Sequence, residues 1–125
     1  MTMRTPLKSV RALGSAKEGA DHFWKQRITG LANVFLGVFL VWLIARLAGA
    51  DHATVKSTMH NPFVSAALLA LIASAAIHMR LGMQTIIEDY VHGSAKIALL
   101  LLNTFFSAGV ALISFLAILK LSFGA

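Results

Sequence analysis

Three long apolar stretches, separated by short polar ones, limit what this chain can fold into more than any other feature. The first covers residues 28–48, the second is apolar over 63–79 and continues amphipathically to about residue 90, and the third covers 97–119 without a charge. Each is long enough, once its flanking turns are counted, to match the roughly 20 residues that cross a hydrocarbon core of about 30 Å. That core holds no water to satisfy free N–H and C=O groups, so helices are expected there and open strands are not. A soluble domain would break such runs every few residues to keep one helix face wet, and 58% hydrophobic with only 13% charged residues leaves too few polar groups to do so. The expected fold is an all-α membrane protein: one membrane domain over residues 1–125 with three transmembrane helices at about 28–48, 62–90 and 96–120. Asn61-Pro62 marks the start of the second, since proline suits the first helical position. No repeat, soluble domain or linker is evident.

Eleven Lys and Arg stand against five Asp and Glu. Such a surplus can signal a nucleic-acid partner. Here Arg4, Lys8, Arg11, Lys17, Lys25 and Arg27 all precede the first apolar stretch, and membrane topology accounts for that bias better. The N-terminal segment 1–27 and the loop 88–96 are richer in Lys and Arg than the loop with Lys56 and the tail with Lys120. A cytoplasmic N-terminus and a periplasmic C-terminus are therefore expected. Segment 1–27 is read as retained. A signal peptide would have a shorter apolar core and a small-residue cleavage site, and a transit peptide would be Ser-rich, whereas Asp21-His22-Phe23-Trp24 leads straight into a full span. With no cysteine, the chain can supply no thiolate to an iron–sulfur cluster or zinc and no disulfide.

A polar group inside a membrane is costly, with a central charge carrying an insertion penalty of about 2.5–3.5 kcal/mol, so the useful question is which spans contain such groups. Only the second span is expected to be richly supplied. His78 lies about fifteen residues, or roughly 22 Å, from residue 63. Such a histidine serves as a hydrogen-bonding partner between helices, as part of a proton path or as a haem ligand, and depth alone leaves these open. Gly82, one turn on, lets either a flat macrocycle or a neighbouring helix approach the backbone. If His78 binds haem iron, the second axial ligand has to come from another polypeptide, because the first and third spans hold no histidine and His22, His52, His60 and His92 lie near or beyond span ends.

Asp89 and Tyr90 end the same helix, roughly 17–18 Å from His78 along its axis. A tyrosine and an acid there are either a belt anchor with a solvated carboxylate, or a phenol that donates to a quinone carbonyl beside a carboxylate that orients it or relays protons. Arg27, with His22 and Trp24, opens the first span on the same side. It is one more positive-inside residue, or a guanidinium for a haem propionate. Arg80 falls about 200° around the helix from His78 and should face elsewhere.

The stretch Ile77-His78-Met79-Arg80-Leu81-Gly82-Met83-Gln84-Thr85-Ile86-Ile87-Glu88-Asp89-Tyr90-Val91-His92 resembles the second-helix signature of the succinate dehydrogenase (complex II) hydrophobic membrane anchor family, which reads His-x3-Gly-x6-Asp-Tyr. The run Gly14-Ser15-Ala16-Lys17-Glu18-Gly19 followed by His22-Phe23-Trp24-Lys25-Gln26-Arg27 is similar to the bacterial branch of that family. With three spans in matching order, the resemblance covers nearly the whole chain. It implies a multi-pass subunit of the bacterial inner membrane within succinate:ubiquinone oxidoreductase. The subunit has no complete active site of its own. It docks a flavoprotein subunit and an iron–sulfur subunit, and it shares haem b with a sister cytochrome b556 anchor. By position it implies His78 as the axial ligand to the haem iron, Tyr90 and Asp89 at the site where ubiquinone is reduced, and Arg27 near the haem propionates. Arg80 lies outside the signature.

Two other classes compete with that reading. A small transporter or proton-path subunit would use His78, Arg80 and Glu88 without haem, although such paths usually draw on several helices. A structural adaptor would tolerate loss of His78 if packing survived.

Overall fold

A computed structural model describes residues 15–124, with side chains from residue 19 onward. Arg4, Lys8, Arg11 and Gly14 lie outside the described residues. The described residues are almost all helical: α1 (Ser15–Leu47), a short α2 (His52–Met59), α3 (Pro62–Tyr90) and α4 (Ser94–Phe123). Three stretches are long and apolar enough to cross a membrane, Gly19–Leu47, Pro62–Tyr90 and Ser94–Phe123. α1 begins well before residue 28, so residues 15–27 of the polar lead and the first span are one continuous helix.

The sequence sets each boundary. α1 ends where Gly49 takes a positive φ of 78°, a conformation open to glycine because it has no Cβ, and the Ala50 N–H closes back on the Leu47 carbonyl at 3.0 Å. Asp51 caps α2, its carboxylate accepting from the Thr54 N–H at 3.0 Å. The Thr54 hydroxyl and backbone N–H hold the Asp51 carboxyl below the usual carboxylate range, so this cap stays ionised. Asn61 caps α3 through the Phe63 N–H at 3.0 Å, with Pro62 in the first turn. Gly93, with φ of 76°, makes the tight turn from α3 into α4.

α3 lies in the middle. It packs along α1 on one side and α4 on the other, and the two flanking helices make no comparable contact with each other. Most large apolar side chains therefore face outward. Phe35, Val38, Phe105 and Ile113 are each between 67% and 70% exposed, as expected of helices that meet lipid or other membrane proteins rather than a private core. The best-enclosed apolar cluster is at the α2 end, where Leu43, Met59, Leu68 and Ile118 bring one buried residue from each of the four helices. A polar knot closes it. The Ser65 hydroxyl is within 2.7 Å of the Met59 carbonyl and 2.9 Å of the Ser122 hydroxyl, and His60 Nδ1 donates to the Ser122 carbonyl at 2.6 Å.

Ser65→Val removes the shared hydroxyl and leaves the buried Ser122 and Met59 groups short of partners. A loss of about 1–3 kcal/mol is expected, read as a lower thermal midpoint in detergent, whereas His52→Ala at the exposed start of α2 should leave the midpoint nearly unchanged.

Candidate functional site

Two facing rows of polar side chains meet where α1 and α3 pack side by side. On α1, His22, Gln26, Thr29 and Asn33 are spaced by four, three and four residues, which makes them one stripe of the helix. On α3, Ser74, His78, Gly82 and Thr85 form the facing stripe by the same rule. The helices run antiparallel, so the start of the α1 stripe lies beside the end of the α3 stripe. His22, Gln26 and Arg27 line a cleft of about 440 Å³ together with Gly82 and Thr85.

His78 is half-buried against α1. Its Nδ1 is 3.2 Å from the Thr29 hydroxyl oxygen. Gly30 allows this approach, because a Cβ built there would sit 3.4 Å from Cε1 of the ring. One turn earlier on α3 the Ser74 hydroxyl donates to the Thr29 carbonyl at 3.1 Å, so a single residue of α1 engages two residues of α3. Gly82, for which sequence allows a macrocycle or a helix, takes the helix within this chain: the Gln26 amide nitrogen would be 3.3 Å from its Cβ. His22 Nε2, Gln26 Oε1 and Asn33 Oδ1 are enclosed and have no hydrogen-bond partner among the described residues.

The expectation that α3 alone is richly supplied with polar groups does not hold. α1 contributes the stripe just described, and α4 contributes Asn103 and Thr104. The Asn103 side chain donates to the Arg80 carbonyl at 2.9 Å, and Arg80 Nε reaches the Thr104 hydroxyl at 3.4 Å. Arg80 thus faces α4 while His78 faces α1, as their angular separation requires. Glu88 is exposed and takes the Gln84 amide at 2.9 Å. These three residues do not come together, so they form no common path within this chain. Serine, threonine and asparagine carry no charge and draw little notice in a sequence. Their recurrence every three or four positions is the signal that could have found them.

Asp89 and Tyr90 close α3 and stand open, with Tyr90 80% exposed and neither side chain bonded among the described residues. Arg27 makes no ion pair among the described residues, and its guanidinium lies over the Phe23 ring, 4.6 Å from the centroid. No group of three or more His, Cys, Asp or Glu capable of holding a metal occurs among the described residues, so these residues offer no self-contained metal centre.

The family described as succinate dehydrogenase/fumarate reductase transmembrane subunit matches residues 1–118. The chain belongs to that family. The succinate dehydrogenase hydrophobic membrane anchor subunit of Paracoccus denitrificans is 25% identical over 121 residues, covering 97% of this chain and 94% of the relative. The subunit of the same name from Rickettsia bellii is 30% identical over 88 residues, 70% of each chain, and that from Rickettsia conorii is 33% identical over 79 residues, 62% of this chain and 63% of the relative. No solved structure matches the chain. This succinate dehydrogenase-type anchor is a multi-pass membrane protein, and its family sets it within an oxidoreductase complex.

Gly30→Leu in this anchor subunit would drive side-chain atoms into the His78 ring. Separation of α1 from α3 is expected, with a loss of about 1–3 kcal/mol read by thermal unfolding, while Gly37→Leu, where nothing lies within 4 Å of the built Cβ, should be tolerated.

Proposed function

We propose that this chain is the anchor of a succinate:ubiquinone oxidoreductase that helps hold haem b between itself and a sister anchor, and that forms part of the quinone-reduction site. The observation that carries the proposal is His78. It sits inside a span, its Nδ1 is engaged by Thr29, and its Nε2 is neither enclosed nor bonded among the described residues. An imidazole held by one nitrogen and open at the other is the arrangement of a metal ligand.

The donor set fits the group. His78 would be the iron ligand from this chain, and Arg27 and His22, beside the α1–α3 cleft, can both donate to propionate carboxylates. When bound, haem b supplies a one-electron relay. His22 stands seven residues, about 10 Å, along α1 from Thr29, too far to face His78 across a porphyrin, which supports an opposite ligand from the sister cytochrome b556 subunit. Tyr90 and Asp89, exposed at the end of α3, suit a quinone headgroup: the phenol donates to a carbonyl and the carboxylate orients it or passes protons. The flavoprotein and iron–sulfur subunits would dock on that side. The Lys and Arg bias supports a cytoplasmic position for it, with the C-terminus periplasmic and the complex in a bacterial inner membrane. The transporter alternative is disfavoured by the divergence of His78, Arg80 and Glu88.

In the complete complex, His78→Ala is expected to abolish or grossly deplete the b-type absorption, and full haem content in that variant would refute the ligand assignment. Tyr90→Phe should lower quinone reduction about tenfold, as loss of one hydrogen bond to the headgroup would, while succinate oxidation with an artificial dye persists. Equal loss of both activities would remove the tyrosine from the quinone site.

A further inference from the structure

The geometry points to Thr29 as the residue that sets the tautomer and orientation of His78, leaving Nε2 as the nitrogen with the free lone pair; the inference rests on the haem ligation proposed above. Thr29 is buried, only 8% exposed. Its hydroxyl has one proton, and that proton is committed to its own helix: Oγ1 is 2.6 Å from the Lys25 carbonyl and 3.2 Å from the Gln26 carbonyl. Both are acceptors only, so Oγ1 has just a lone pair to offer the imidazole 3.2 Å away. His78 must therefore donate through Nδ1–H. In a neutral imidazole this leaves Nε2 unprotonated and available to a metal.

Two further contacts make this a fixed arrangement rather than a passing one. The Ser74 hydroxyl, itself buried, donates to the Thr29 carbonyl at 3.1 Å and pins the α1 backbone one turn from His78 on the same face of α3. Gly30 carries no side chain beside the ring, where a Cβ would already sit 3.4 Å from Cε1, so the ring edge lies close against α1 while Nδ1 is hydrogen-bonded. Thr29 acts through His78 and is a positioning residue. A ligand histidine whose distal N–H is accepted by an oxygen is a stronger electron donor, which favours ferric over ferrous iron.

The test uses the complete complex, purified with its partner subunits. Thr29→Val keeps the side-chain shape and removes the acceptor. It is expected to move the ferric–ferrous equilibrium about tenfold toward the ferrous form, an upward shift of about 59 mV for a one-electron couple, and to alter the low-spin ferric paramagnetic resonance spectrum. Thr29→Ser should restore both. If Thr29→Val does not assemble, Thr29→Cys, with a much weaker acceptor at the same position, should shift the potential in the same direction. A potential and spectrum identical to wild type in whichever of these two variants assembles, while His78→Ala loses the haem, overturns the role of Thr29 alone. Haem retained in His78→Ala overturns the ligand reading beneath it.

Discussion

The contact between Thr29 and the pair Ser74 and His78 carries more of this structure than its size suggests. In a bilayer, apolar side chains gain little by leaving lipid for one another, so helix association depends on close packing and on hydrogen bonds that hydrocarbon cannot supply. α1 and α3 have both at one point. Ser74 holds the Thr29 carbonyl, His78 holds its hydroxyl, and Gly30 removes the bulk that would keep the helices apart. Sliding α1 by one residue would turn Thr29 out of the interface by about 100° and break both bonds together. The register of the first two spans is thus set by a polar triad rather than by interlocking leucines.

The same economy explains why so little of the surface is covered. A helix that packs on two neighbours, themselves in little contact, buries a ridge on each side and leaves broad faces open. Leu31, Phe35, Val38, Phe105, Phe106 and Ile113 stay largely exposed because lipid or another membrane chain is an acceptable environment for them. The enclosed but unpaired His22 Nε2, Gln26 Oε1 and Asn33 Oδ1 are different, since a polar atom without a partner costs about 1–3 kcal/mol in a dry setting. They gather along one stripe of α1, the stripe that also holds Thr29.

The three spans, their order and the helical fold are plain in the sequence because charge-free runs of that length have few other solutions. His78 and Arg80 also separate there, since 200° of helical rotation is arithmetic, and the structure gives one of them to α1 and the other to α4. The α2 helix is not legible: eight residues with Asp51 as their cap read as part of a polar loop. Nor is the contribution of α1 and α4. Thr29, Asn103 and Thr104 look ordinary beside a histidine, and a neutral hydroxyl reveals its use only when the facing helix is known. Gly82 shows the limit from the other direction. A glycine beside a candidate ligand says that something comes close, and only the structure names Gln26 as what comes close within this chain. For Asp89, Tyr90 and Arg27 the single chain gives position and openness, while the chemistry assigned to them depends on surfaces that other subunits would bring.

The two ends of the bundle are fastened differently. At the α2 end, four helices share an apolar cluster and Ser65, Ser122 and His60 tie them across. At the other end α3 and α4 are joined by a three-residue turn, but α1 has no such fastening beyond its polar stripe. The α1–α3 seam therefore keeps its alignment through hydrogen bonds, whose strength depends on water being kept away from them.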